Sequence, residues 1–150
     1  MVAETLAESI IAYSNQSSYQ ITNLKLQKTL YFVQGYYAKE FSSPLFEDRI
    51  EHWPYGPVVP SVYFKYSSYG ADAIYASNPY ASFEWLPPHE RNYVKKIIDK
   101  CLSLPARKLV EISHIGSPWK NTAPSQQISF DAIKYYFCNN DPLGISTTSA

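Results

Sequence analysis

The chain has 150 residues, with 13 basic and 13 acidic side chains and a formal net charge of zero. That length predicts one domain, large enough to bury a core without disulfides or metal, and the neutral balance excludes long-range attraction of the whole molecule to nucleic acid or an anionic membrane. Cys101 and Cys138 make no disulfide framework, and His52, His89 and His114 have no spacing that suits zinc, so neither a metal nor another cofactor is expected.

The opening MVAETLAESIIAYSN has acids where a secretion signal needs basic residues, and no run approaches the ~20 apolar residues of a membrane span. A cytoplasmic protein is expected. Leu6, Ile10 and Tyr13 repeat at helical spacing and predict a first helix over residues 2–13, ended by the polar stretch Ser14 to Gln20. Thr22 is placed to cap a second helix, Asn23 to Phe41, in which Leu26, Leu30, Val33 and Tyr37 form a stripe widened by Leu24, Tyr31, Phe32 and Tyr36. A helix apolar around most of its circumference belongs at the centre of a fold.

Ser42-Ser43-Pro44 breaks that helix, and the alternation that follows predicts a short β-hairpin or extended segment around residues 45–58. Pro60 suits the first position of a helix reaching to about Ser68, where Gly70 stops it. Residues 71–88 are irregular. Pro88 opens a helix with Val94, Ile97, Ile98, Cys101 and Leu104 inward, and Pro105 separates it from another through Leu109 and Ile112. Gly116-Ser117-Pro118 is read as a break, and Ser129 caps a last helix carrying Ile133, Tyr136 and Phe137. The expected fold is mainly α, a single compact helical domain of about five to six helices over residues 1–142, with 143–150 a flexible polar tail.

No nucleophile elbow, phosphate loop, HExxH or dinucleotide fingerprint occurs, so no enzyme is expected. His114 and Ser117 are three apart, but Gly-Ser-Pro is ordinary loop chemistry and no third group is specified. Glu47, Asp48 and Glu51, beside His52, form a second constellation, and a solvated acidic turn is the commoner reason for it. A third is the basic stretch Arg91, Lys95, Lys96, Lys100, Arg107 and Lys108, a face for phosphates or for an acidic protein. It lacks the turn and base-reading side chains of a helix-turn-helix.

The stretch WPYGPVVPSVY, Trp53 to Tyr63, has three prolines and a glycine among aromatic and β-branched side chains. It is too stiff for a regular helix and too apolar for an ordinary loop. Together with LKLQKTLYF and the following Gly35-Tyr36, it makes Ile21 to Tyr66 resemble the opening half of the Panacea domain, the SocA-like antitoxin or phage-associated GepA-like family. His114 and Pro118-Trp119 are a weaker echo. The resemblance implies a mostly helical cytoplasmic protein of a toxin–antitoxin module, often carried by prophages. Such a protein neutralises a cognate toxin, encoded by the neighbouring gene, through direct binding without catalysis or cofactor.

The motif residues it singles out are Leu26, Gln27, Lys28, Tyr31, Gly35, Trp53, Tyr55, Gly56, Pro57, Val58, Pro60, Tyr63, His114, Pro118 and Trp119. Two roles stay open for the stiff stretch. Trp53, Tyr55, Val58 and Tyr63 are either a plug that fixes the loop or the surface offered to the toxin, with more weight on the plug because burying aromatic area is favourable. The alternative function is a nucleic-acid-binding regulator using the basic face of residues 91–108, and a small hydrolase at residues 47–52 is third.

Overall fold

A computed structural model describes residues 2–145, apart from the side chain of Ser117. Its elements follow the order α1 (Ala3–Gln16), α2 (Asn23–Phe41), β1 (Glu51–Trp53), β2 (Gly56–Val58), α3 (Pro60–Lys65), a 3₁₀ turn (Ser67–Tyr69), α4 (Pro88–Ser103), α5 (Ala106–Ile115), α6 (Ser117–Lys120) and α7 (Phe130–Asn139). The fold is mainly α, with one two-stranded antiparallel ribbon.

α2 is the axis on which the rest is hung. Every residue from Lys25 to Ala38 is buried, and α1, α3, α4, α5, α7 and β2 all pack on it. Thr22 caps it as the sequence predicts, its hydroxyl accepting from Lys25 N at 3.2 Å. Gly35 is required by packing, because a Cβ there would overlap the ring of Phe137 on α7. Around that close approach Phe137 meets Tyr31, Phe32 and Tyr36 edge-on, with ring centroids 5.1–6.3 Å apart.

Three boundaries differ from expectation. α1 continues past Tyr13 to Gln16, because Ser14 is buried and its hydroxyl is bonded to Tyr19 O at 3.2 Å. The Gly-Ser-Pro segment ends α5 as expected, with Gly116 extended, but Ser117-Pro118 then starts the short α6, since proline in a first turn lacks only a donor that has no partner there anyway. Leu143 and Ile145, expected in a loose tail, belong to the core. Leu143 N donates to the Tyr36 hydroxyl at 2.9 Å and Ile145 N to Asp141 Oδ1 at 2.9 Å. The remaining tail, 146–150, lies outside the described residues. Among the described residues no helix is long and apolar enough to cross a membrane.

Candidate functional site

The stiff stretch lies across α2 as the hairpin β1–β2, turning at Pro54-Tyr55, with Trp53 paired to Gly56, His52 to Pro57 and Glu51 to Val58. The backbone of His52 faces away from β2. Its N–H donates to Gln126 O at 3.0 Å, and its carbonyl accepts from Ser125 N at 2.8 Å. Pro57 therefore stands where the ladder asks for no donor, which is how a strand accommodates proline.

The other edge of β2 is held by side chains of α2. Lys28 Nζ donates to Pro57 O at 2.8 Å, and Val59 N donates to Gln27 Oε1 at 2.8 Å. Gln27 Nε2 then donates to Asn23 Oδ1 (3.0 Å), and Asn23 Nδ2 to Tyr63 O (3.0 Å). Further along the helix, Gln34 accepts from Leu45 N (2.9 Å) and donates to Phe46 O (2.7 Å). These amides satisfy buried main-chain groups that no regular sheet would pair. Lys28 is wholly buried, and desolvation brings its ammonium down to about 7. Gly56 seals the contact. Its φ is +111°, and a Cβ would lie 2.6 Å from Ser113 Oγ and 2.9 Å from Lys28 Cε.

Trp119 fastens the hairpin from the opposite side. Its indole is sandwiched between His52 (4.1 Å, 16°) and His114 (4.2 Å, 24°). Its Nε1 donates to Trp53 O at 3.1 Å, and its carbonyl accepts from His52 Nδ1 at 2.8 Å. Burial, then the nearby Lys28 and His52, hold His114 below the usual imidazole value, opposed by its bond to the Pro54 backbone. Its Nε2 is buried without a partner. Pro118, next to Trp119 in sequence, is buried.

The outer side of the hairpin is different. Trp53 packs edge-on to Tyr63 (4.9 Å) and Phe64 (5.9 Å), while Tyr55 is 69% exposed and Phe64 63%. Between these rings and the start of α2 runs a groove of about 260 Å³, with Val58 and Gln27 in its floor and Leu24 and Ala71 on its rim. The stiff stretch is thus divided between core and solvent. Gly56, Pro57, Val58 and Val59 are buried, Pro60 opens α3 half-buried, and Pro54 and Tyr55 face solvent.

Comparison with known families gives a match over most of the chain. The model of the antitoxin SocA-like, Panacea domain family covers residues 26–120. The chain belongs to that family. It is 32% identical over 111 residues to "Antitoxin SocA" of Caulobacter vibrioides (strain NA1000 / CB15N), a match covering 66% of this chain and 58% of that protein. No solved structure matches.

Within this Panacea domain the motif residues divide by role. Leu26, Tyr31 and Gly35 build the core contact with α7 and its surroundings; Tyr31 is buried with its hydroxyl unpaired, and burial pushes that phenol up. Gln27, Lys28, Gly56, Pro57, Val58, His114, Pro118 and Trp119 fix the hairpin, and Trp53, Tyr55 and Tyr63 form its outer ridge. Asn23, Gln34, Ser113 and Phe64 belong to the same constellation and were not singled out by sequence. A signal existed for the first two. Asn23, Gln27 and Gln34 are amides at i, i+4 and i+11, one line along a helix otherwise apolar there.

The other candidates disperse. Asp48 accepts from Ala3 N and from Ser61 Oγ, both at 2.7 Å, and so ties α1 to α3. Glu51 pairs with Arg49 and accepts from Trp53 Nε1. Glu47 is exposed. No group of three or more His, Cys, Asp or Glu among the described residues is placed to hold a metal ion. The Ser117 side chain lies outside the described residues.

The basic stretch is not one face. Arg91 donates to Phe83 O and Leu86 O and pairs with Glu84, and Lys95 lies over the rings of Tyr13 and Phe83. Both are used to hold the loop before α4. Lys96, Lys100, Arg107 and Lys108 are exposed.

Proposed function

We propose that this protein is an antitoxin that neutralises its cognate toxin by direct protein–protein contact, through the outer ridge of the signature hairpin. Family membership supports the antitoxin role. The observation that carries the choice of surface is the exposure of Tyr55 on a hairpin whose edge against α2 is bonded, with Phe64 exposed beside it on α3. Exposed aromatic side chains on a fixed backbone suit binding, because they offer large contact area and lose little freedom when covered. The motif residues of α2 and α5–α6 then act as a frame for that surface. No side chain here is assigned a covalent or acid–base step. The toxin is expected to be the product of the neighbouring gene, met in the cytoplasm.

The test is growth of cells induced for the neighbouring gene, with and without this protein, together with co-purification of the two products. Rescue with a stable complex is expected. Toxicity that persists although this protein accumulates in soluble form would refute the proposal.

A further inference from the structure

Resting on the antitoxin reading, the geometry points to the class of element that the toxin inserts: we propose that the groove beside the hairpin takes the apolar face of an amphipathic helix, one or two large aliphatic or aromatic side chains a helical turn apart. Three observations select this occupant. The first is the state of the hairpin's edges. The outer edge of β1 is already paired with residues 125–128, through His52, Ser125 and Ile128, whose N–H donates to Ile50 O. The edge of β2 that faces α2 is bonded to Gln27 and Lys28. No main-chain edge is free to receive a strand, so strand addition, the common way a hairpin recruits a peptide, is closed here.

The second observation is charge. Leu24, Trp53, Tyr55, Val58, Tyr63 and Ala71 line the groove with Asn23, Gln27, Pro54 and Gly70, and none of these is ionised. Lys25, next to Leu24, is turned away to Leu102 O at 2.9 Å. Lys28, next to Gln27, is buried and donates to Pro57 O at 2.8 Å, Lys65, two residues past Tyr63, pairs with Glu4 and Glu8, and Glu51 and Asp72 are acidic. An aromatic platform for nucleic-acid bases needs a cationic track for the phosphates, and this one has none. The amides in the floor are also committed, Gln27 to Val59 N and Asn23, and Asn23 to Tyr63 O.

The third is size. About 260 Å³ falls below the roughly 300–1,000 Å³ of a small-molecule site. It suits the one or two side chains with which a helix anchors itself in a groove. Those anchors would enter between Trp53 and Leu24, with Tyr55 and Phe64 closing over the helix flank.

The experiment uses the full chain and, as probe, the purified product of the neighbouring gene. Leu24→Glu places a carboxylate on the groove's rim. It occupies the second position of α2, where an acid favours the helix dipole, so folding should hold. Tyr55→Ala removes one exposed wall, and Tyr80→Ala, at a side chain 88% exposed on a loop outside the groove, is the control. Each groove variant should weaken binding at least about 30-fold, with the control unchanged. A photo-crosslinking p-benzoyl-phenylalanine in place of Tyr55 should mark residues three or four apart on one face of a toxin helix.

If the complex forms but Leu24→Glu and Tyr55→Ala bind as the unsubstituted chain does, or the crosslinks fall on a strand, the groove inference is overturned while the antitoxin reading stands. If the unsubstituted chain neither binds nor rescues, the antitoxin reading fails. The groove is then judged with a phage-displayed library of randomised helices. Helices that bind the chain and lose it with Leu24→Glu would uphold the inference, and failure to recover any would overturn it.

Discussion

The two sides of the stiff stretch, Trp53 to Tyr63, are made from the same eleven residues and do opposite work. On the inner side, Gly56 to Val59 are buried and their main chain is taken up by Lys28 and Gln27. On the outer side, Pro54 and Tyr55 stand in solvent beside the half-buried Trp53 and Tyr63. Composition does not separate them, since both carry proline and large apolar side chains. What separates them is what lies opposite: α2 and α5 on one side, and on the other only the flank of α3 and an open groove beside the first turn of α2, among the described residues. A stiff apolar segment can be read as a plug or as a binding surface, and here the frame on one face is what makes the other face available.

That contrast can be broken most strongly at Gly56. Gly56→Ala puts a methyl into Ser113 and Lys28 at a left-handed φ. Overpacking of about 1–3 kcal/mol and backbone strain of about 1–2 kcal/mol should add, and the loss is read as a lowered urea midpoint. Toxin binding should fall with it, because the ridge loses its support. Gln27→Ala attacks the same edge more gently. It strands the Val59 N–H and the Asn23 amide, an expected loss of about 1–3 kcal/mol, and hydrogen exchange at Val59 should speed up.

Buried Lys28 adds a pH dependence with a definite sign. Its folded value of about 7 lies below the ordinary 10.5, so between those values the unfolded chain binds the extra proton. Stability should therefore rise with pH from about 7 towards 9, by at most about 1.4 kcal/mol per pH unit. Below 7 the cost of burying the ammonium is fully present. His114, also held low, should cause a further loss as pH falls below 6.5. Melting temperatures between pH 5.5 and 9 check both, and Lys28→Met should flatten the upper limb while leaving the lower. The smallest effect is expected at the other end of the molecule. Lys96→Glu with Lys100→Glu changes two exposed side chains, and stability should move by less than about 0.5 kcal/mol, with toxin binding unchanged.

Much of this fold is legible in the sequence because local signals agree. Thr22 and the wide stripe of Leu26, Leu30 and Val33 give α2 its bounds, and Pro60, Pro88 and Ser129 mark helix starts that the structure keeps. The site is less legible, because its logic lies in contacts far apart in sequence. A lysine in an apolar helix reads as a solvated cation, yet Lys28 is buried to meet Pro57, 29 residues on. Arg91 and Lys95 read as part of a basic face, yet the loop before α4 uses both. Asn23, Gln27 and Gln34 explain themselves only once the hairpin's main chain is laid against them. Trp119 is recognisable as a motif residue, but not as the middle of a stack between two histidines from different elements.

The most direct test measures stability and toxin affinity together for one residue on each side of the hairpin, Tyr55→Ala outside and Gln27→Ala inside. Tyr55→Ala should leave the melting temperature within error and weaken the complex by at least about 2 kcal/mol. Gln27→Ala should lower the melting temperature and, at a temperature where it remains folded, bind more nearly as the unsubstituted chain does. If Tyr55→Ala binds the toxin undiminished, or loses stability as Gln27→Ala does, the division of the hairpin into a frame and a binding ridge is wrong.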